Sequence, residues 1–167
     1  LINAIGILAQ RGTIRNFIMH FIGSGDSLKT LQSLVIKNNL QDIIIFEGNK
    51  EQNYLYKNLC KYDLFIQPSN YEGFGLTVAE AAAAKLPIII SNIDGPMEIL
   101  NSGKYGMTFE VGNVEDLANK IQQFIDGNYD YSLIDKAYNY VKSNYDVSVT
   151  AKKYIEEYKK ILSSKHE

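Results

Sequence analysis

The segment LFIQPSNYEGFGLTVAEA, residues 64–81, combines a predicted strand, a glycine-containing loop and the start of a predicted helix. Residues 64–67, of which the first three are apolar, predict a buried strand, which ends at Pro68 because proline has no N–H for the ladder of a central strand. Residues 75–85 are rich in alanine, the strongest helix former, and predict a helix. A buried strand followed directly by a helix is the repeating unit of a parallel α/β sheet.

Apolar strands and helical patterns alternate on both sides of this segment. We expect further strands at residues 17–22, 43–46, 87–90 and 105–111. We expect further helices at residues 1–9, 26–38, 51–61, 96–101, 114–125, 132–144 and 147–163. The strands are apolar along their whole length, which is typical of a sheet covered by helices on both faces. The sequence therefore predicts an α/β, Rossmann-like, doubly wound parallel sheet with additional helices at the C-terminus.

The chain length favours a single domain. Residues 1–167 are predicted to form it, with the core at about residues 1–130 and the C-terminal helices at about residues 131–163. The sequence begins at Leu1 without a methionine and already inside a helical pattern, so we expect a fragment of a longer protein. No apolar run approaches the roughly 20 residues that span a bilayer.

Charge and metal-ligating residues exclude several functions. Seventeen basic and nineteen acidic residues give a net charge of -2, which argues against a nucleic-acid partner held by bulk charge. Cys60 is the only cysteine, and His20 and His166 are the only histidines. This composition excludes an internal disulfide, a cysteine-based zinc site and a multi-histidine metal site. We expect His20, which lies in an apolar strand, to be a core or sheet-edge residue.

The loop at residues 68–75 has the composition of an anion site. Gly73 and Gly75 allow a close backbone approach, and the helix that follows begins with free N–H groups and a partial positive charge. Glu72 and Glu80 flank this position, and an ionised carboxylate accepts hydrogen bonds only, so hydroxyl groups are its natural partners. One interpretation is a sugar-phosphate site. The other is an ordinary glycine turn with two solvated glutamates.

These residues resemble a known family. Glu72 and Glu80 have the Glu-x7-Glu spacing of retaining glycosyltransferases with the two-Rossmann-domain (GT-B) architecture, and residues 72–81 are similar to family four of that class. Residues 62–69, 85–89 and 95–99 also fit the pattern, and the resemblance covers roughly residues 17–125. It implies the C-terminal, nucleotide-sugar-binding half of such an enzyme, with the N-terminal acceptor domain and the first strand of this domain outside the sequence.

The resemblance also implies roles for individual residues. Glu72 would be the carboxylate at the catalytic centre, binding hydroxyls of the transferred sugar, and Glu80 would hold the ribose hydroxyls. The other donor-binding residues fall into four groups: amides that contact the sugar, amides that contact the diphosphate, a loop beside the base, and the floor of the cleft. They are, in that order, Gly73, Phe74 and Gly75; Leu76 and Thr77; Gly48, Asn49 and Lys50; and Gly23 and Gly25.

The implied reaction is transfer of a hexose from a nucleotide-diphosphate sugar to an acceptor hydroxyl, with retention and without a metal or other cofactor. We expect a cytoplasmic location, with the inner face of the membrane as the alternative, a bacterial origin, and a role in polysaccharide biosynthesis. The sequence lacks the Gly-Arg … Lys-Gly segment that carries the family's basic diphosphate ligands, and Arg11 and Arg15 are interpreted as surface charges.

Two alternatives belong to other functional classes. One is a non-catalytic module that binds a nucleotide or nucleotide sugar, which fits the missing acceptor domain and basic residues. The other is a dinucleotide oxidoreductase, which is disfavoured because Gly23-Ser24-Gly25 lacks the third glycine of that fingerprint.

The last helices contain many apolar and aromatic residues, so we expect exposed apolar surface there and self-association of the fragment. A basic cluster on the final helix predicts a solvated face, with peripheral contact to an anionic membrane as the alternative. The cluster comprises Lys152, Lys153, Lys159 and Lys160.

Overall fold

The computed structural model describes residues 1–14 and 17–163. Arg15 and His166, which were singled out from the sequence, lie outside the described residues. The strands in chain order are β1 (Met19–Ile22), β2 (Ile44–Gly48), β3 (Phe65–Gln67), β4 (Ile88–Ser91) and β5 (Met107–Phe109). The helices are α1 (Ile2–Gln10), α2 (Leu28–Lys37), α3 (Gln52–Asn58), α4 (Leu76–Ala83), α5 (Asp94–Ile99), α6 (Val114–Ile125), α7 (Ser132–Tyr145) and α8 (Val147–Ser163).

All paired strands are parallel, as predicted. β1 pairs with β2, and β3, β4 and β5 form a second group in that order, with Phe65 opposite Ile88 and Ile89 opposite Met107. Within the described residues, these two groups are not hydrogen-bonded to each other. A groove of about 760 Å³ lies between them, lined by residues 17–22 on one side and residues 64–66 on the other. The α/β, Rossmann-like class predicted from the sequence is confirmed.

The core explains why the first three residues of β4 are apolar. Ile88 and Ile90 pack with α4, α5 and α7, whereas Ile89 packs on the opposite face with α1 and α6. All three side chains are fully buried. A central strand covered by helices on both faces can carry no polar side chain without a partner, which accounts for the uninterrupted apolar run. This rigid strand holds the loops at its carboxyl end in place.

Element boundaries differ from the prediction by a few residues. The helix expected at residues 96–101 begins at Asp94, because Pro96 fits the first turn of a helix, where its missing N–H has no intrahelical acceptor. The helix expected at residues 51–61 is α3 followed by a 3-10 turn at Leu59–Lys61. The strand expected at residues 105–111 is limited to β5.

The final helix, α8, packs only lightly on the protein. Its main contacts are with α7, and Tyr154, Ile155 and Tyr158 are each more than half exposed. Self-association through this surface stays a prediction. Of the helices in the described parts of the chain, none combines the length and hydropathy that crossing a membrane requires.

Candidate functional site

The loop between β3 and α4 ends at Gly75, whose backbone is left-handed with φ 93° and ψ 44°. Glycine adopts this conformation without steric cost. Gly75 provides no side chain to cap α4, and its carbonyl accepts from the amides of Val78 and Ala79 at 3.0 and 3.2 Å. Among the described residues, the amides of Leu76 and Thr77 have no acceptor. The helix therefore begins with two free donors, which suit an anionic ligand.

The backbone of this loop rests directly on the first turn of α5. A Cβ atom at Gly95 would lie 3.0 Å from the carbonyl oxygen of Glu72 and from the nitrogen and carbonyl carbon of Phe74. A Cβ atom at Gly75 would lie 3.3 Å from the backbone nitrogen and Cα of Pro96. Glycine at both positions permits contact between the two backbones, so the position of the loop depends on α5.

Glu72 is partly buried beside the carboxyl end of the sheet. Its Oε2 accepts a hydrogen bond of 3.0 Å from Nε2 of Gln67, the last residue of β3. Next to it, Oγ of Ser91 at the end of β4 donates to the carbonyl of Ser69 at 2.6 Å. Gln67 and Ser91 are only 7% and 1% exposed. Two buried polar side chains at strand ends thus hold the loop that carries Glu72.

Glu80 lies one turn inside α4 and faces another element. Its Oε1 accepts a hydrogen bond of 2.6 Å from Nε2 of Gln52, the first residue of α3. Gln52 lies two residues after Lys50, which ends the predicted base-contacting loop of Gly48, Asn49 and Lys50. The structure therefore brings Glu80 next to the end of that loop.

The loops after β1 and β2 are joined at two of the predicted glycines. The amide of Gly23 donates to the carbonyl of Gly48 at 2.9 Å, and both residues have positive φ, 132° and 66°. Gly25 and Asn49 are exposed, and the carbonyl of Gly25 accepts from the amide of Leu28 at 3.1 Å. Since β1 and β2 are parallel, both glycine loops lie at the carboxyl end of the sheet, where ligands bind in such folds.

Sequence reasoning missed Glu47, which organises the end of β2. Phe21 lies opposite Phe46 and Ile22 opposite Gly48, so Glu47 is the extra residue of a β-bulge. Its Oε1 lies 2.9 Å from Nδ1 of His20, and its Oε2 lies 2.9 Å from Nζ of Lys50. A single acidic residue at the end of an apolar strand was the available signal.

The Glu47 cluster shifts two pKa values. The hydrogen bond from Lys50, followed by that from His20, lowers the pKa of Glu47. The same bond raises the pKa of Lys50, whose ammonium group also lies 5.1 Å from the centre of the Tyr54 ring. His20, expected in the core or at a sheet edge, is partly buried on β1. An ion pair thus holds Lys50 against Glu47, the residue that precedes the predicted base-contacting loop.

Phe74 and Leu76 lie at the N-terminal end of α4, and neither side chain is buried. The Phe74 ring stands edge-on to Tyr145 of α7, with centroids 5.5 Å apart. A cavity of about 550 Å³ lies beside them, lined also by Glu80 and Tyr138. Burial, and then the nearby Glu98 carboxylate, raise the pKa of Tyr145 to about 12. The aromatic wall contributed by α7 was not predicted as part of the site.

Comparison with known proteins gives a consistent result. A family model described as "Glycosyl transferases group 1" matches residues 1–144. The chain is 32% identical over 117 residues to a sucrose synthase of Melioribacter roseus, covering 66% of this chain and 15% of that protein. It is 29% identical over 127 residues to the GtfA subunit of a UDP-N-acetylglucosamine–peptide N-acetylglucosaminyltransferase of Streptococcus parasanguinis, covering 75% and 25%. The chain thus spans a quarter or less of the length of these two relatives.

Solved structures share the fold. A glycosyltransferase from Rickettsia africae superposes with a TM-score of 0.79 and 28% identity, over 97% of this chain and 43% of that one. Anabaena HepE in complex with UDP gives a TM-score of 0.80 and 23% identity, over 98% and 44%. In both, this chain corresponds to less than half of the larger protein. Since the family model matches residues 1–144, the chain belongs to the glycosyl transferases group 1 family.

Proposed function

We propose that this chain is the donor-binding domain of a retaining glycosyltransferase that transfers a hexose from a nucleotide-diphosphate sugar to an acceptor hydroxyl. The observation that carries the proposal is the start of α4, where two free amides lie between two partly buried carboxylates, Glu72 and Glu80. Family membership and a UDP complex of a protein with the same fold support it.

Each part of the donor has a matching group in this arrangement. The amides of Leu76 and Thr77 would donate to the diphosphate, because free helix amides and the helix dipole favour an anion. Glu80, next to the loop at residues 48–50, would accept from the ribose hydroxyls. Glu72 would accept from hydroxyls of the transferred sugar, with the amides of residues 73–75 alongside.

The proposed chemical step depends on stabilising the negative charge that develops on the leaving diphosphate. As the bond to the leaving group breaks, negative charge develops on the diphosphate, and the fixed amide dipoles of the α4 start stabilise it without reorganisation. The acceptor hydroxyl then attacks the oxocarbenium-like carbon from the side of the departing diphosphate, which retains the configuration, and the hydroxyl proton passes to the departing diphosphate. In this proposal Glu72 binds sugar hydroxyls and forms no covalent bond, and no metal takes part.

We also propose that the groove between β1 and β3 holds a further parallel strand of the same domain. Both strands line the groove, and neither is paired on that side in the described structure. A strand inserted there would satisfy both edges and merge the two strand groups into one sheet. The N-terminal acceptor domain implied by the resemblance belongs to the same proposal, and the greater length of the relatives supports it.

Calorimetric titration of the chain with UDP, GDP, ADP and their hexose conjugates tests the function. We expect saturable binding with a preference for one base. Glu80→Gln should weaken that binding about tenfold, since a hydrogen bond to a charged group contributes roughly 1.5–3 kcal/mol. Inorganic pyrophosphate should bind wild type and Glu80→Gln equally, because it has no ribose. Glu156→Gln on the exposed face of α8 is the matched control. If none of the nucleotides or nucleotide sugars binds saturably, the proposal is refuted.

A further inference from the structure

Each carboxylate of the Glu72 and Glu80 pair accepts a hydrogen bond from a glutamine amide. Nε2 of Gln67 donates to Oε2 of Glu72 at 3.0 Å, and Nε2 of Gln52 donates to Oε1 of Glu80 at 2.6 Å. A glutamine amide is neutral, so it orients a carboxylate without cancelling its charge, and it leaves the second oxygen free to accept from a ligand.

The two glutamines differ in burial. Gln52 is exposed on α3, whereas Gln67 is 7% exposed and ends a strand whose other residues are apolar. The Oε1 atom of Gln67 is buried and has no hydrogen-bond partner among the described residues. A buried unsatisfied carbonyl costs free energy that an apolar side chain would avoid. The fold therefore tolerates an unfavourable group at this position, and within residues 1–14 and 17–163 the one hydrogen bond of the Gln67 side chain is with Glu72.

The orientation of the Glu72 side chain depends on its hydrogen bond with Gln67. Its backbone is held because its carbonyl oxygen packs against Gly95. Its side chain leaves the loop at the carboxyl end of β3, and Gln67 supplies a donor to Oε2 from the rigid strand below. A group fixed in this way on a buried strand keeps one orientation more strictly than a group held by a mobile surface side chain.

We propose that Gln67 is a positioning residue that holds the Glu72 carboxylate in the orientation needed to bind the hydroxyls of the transferred sugar. This inference rests on the proposed function and adds the origin of sugar recognition. Gln67 would act on the sugar half of the donor only, because its contact is with Glu72 and not with the free amides of α4 or with Glu80.

Four variants of the 167-residue chain separate this role from a structural one. Gln67→Met keeps the length of the side chain but removes the donor and the unsatisfied oxygen. Gln67→Glu keeps the shape and places a carboxylate against Glu72, and it serves as a second variant. Gln52→Met is the matched change at the other carboxylate. Glu72→Gln completes a double-mutant cycle with Gln67→Met.

The measurements are the affinities for a nucleotide-diphosphate hexose and for the same nucleotide diphosphate without sugar, together with urea unfolding. In Gln67→Met we expect about tenfold weaker binding of the hexose conjugate, unchanged binding of the nucleotide diphosphate, and equal or greater stability. In the Glu72→Gln background, Gln67→Met should cause no further loss. Gln67→Glu should give the same selective loss. Gln52→Met should weaken both ligands alike.

The outcomes distinguish the two proposals. If wild type binds no nucleotide or nucleotide sugar, the proposed function fails and this inference fails with it. If wild type binds both ligands and the folded Gln67 variants keep the same affinity ratio, only the role of Gln67 is refuted. An equal loss for both ligands, or a loss that adds to that of Glu72→Gln, would likewise refute it.

Discussion

Gly95→Ala is the substitution that most directly tests how the site is held. Gly95 lies in α5, and its φ is outside the left-handed region, so alanine fits the local backbone there. The added Cβ, however, would lie 3.0 Å from backbone atoms of Glu72 and Phe74. The substitution therefore leaves every proposed ligand-binding side chain intact and perturbs only the support of the loop.

The size of the effect follows from these contacts. Ordinary Cβ contacts begin at about 3.4 Å, so the loop must move away by about 0.4 Å or more. Overpacking of this kind costs typically about 1–3 kcal/mol. Alanine in place of a helical glycine returns at most about 1 kcal/mol. We therefore expect a net destabilisation of roughly 0–3 kcal/mol, with the loop and the start of α4 displaced.

The displacement should be visible in ligand binding. The amides of Leu76 and Thr77 follow the loop directly, and weakening one hydrogen bond to a charged phosphate by about 1.4 kcal/mol is a tenfold loss of affinity. Urea unfolding and calorimetric titration with the nucleoside diphosphate that binds wild type best would measure stability and affinity separately. Gly6→Ala in α1 is the matched control, because the atoms nearest to its Cβ would belong to the Asn38 side chain, at 3.2 Å and beyond, and not to a backbone.

The control defines the outcome that would refute the reasoning. Gly6→Ala should bind the nucleotide like wild type and should be as stable or up to about 1 kcal/mol more stable. If Gly95→Ala behaves in the same way, with binding within twofold of wild type, contact with α5 does not position the loop.

Three further predictions concern stability and association. Ile89→Ala, at the fully buried centre of β4, should cost about 2–5 kcal/mol in urea unfolding, and a cost below 1 kcal/mol would contradict the packing described for β4. Hydrogen bonds lower the folded-state pKa of Glu47 below its ordinary value of 4.5, so its stabilisation is present above pH 4.5 and is lost as pH falls through the folded-state pKa. Wild type should therefore lose its stability advantage over Glu47→Gln as the pH falls below 4.5, whereas a difference independent of pH would exclude the cluster as its source. The exposed apolar face of α8 predicts concentration-dependent self-association in sedimentation velocity, which Tyr158→Lys should reduce; a wild type that is monomeric at all concentrations would contradict it.

Local patterns were sufficient for the order and class of the elements. The run of isoleucines in β4 and the alanines of α4 predicted a buried strand and a helix, because strand and helix formation here depend on residues close together in the chain. Boundaries were less well predicted where packing decides them, as at β5. The loop at residues 68–75 was predicted to be an anion site because its glycines and the two carboxylates lie close together in the chain.

Contacts between distant segments could not be predicted in this way. Glu47 appeared as an isolated acidic residue, and its partner His20 lies on another strand. The approach of Gly95 to the Glu72 backbone joins segments whose spacing carries no periodic signal. The hydrogen bond between Gln52 and Glu80 depends on how α3 and α4 are placed relative to each other.

The sequence by itself determined the α/β class, the strand that precedes the site and the two carboxylates that flank the start of α4. These features depend on side-chain type and near-neighbour spacing, which a linear chain already contains. Only the tertiary structure decided which donor holds each carboxylate, because Gln67 and Gln52 reach Glu72 and Glu80 through the fold of the loop and the packing of the helices. Hydrogen bonds require distances near 3 Å, and only the packed fold sets those distances between separate elements.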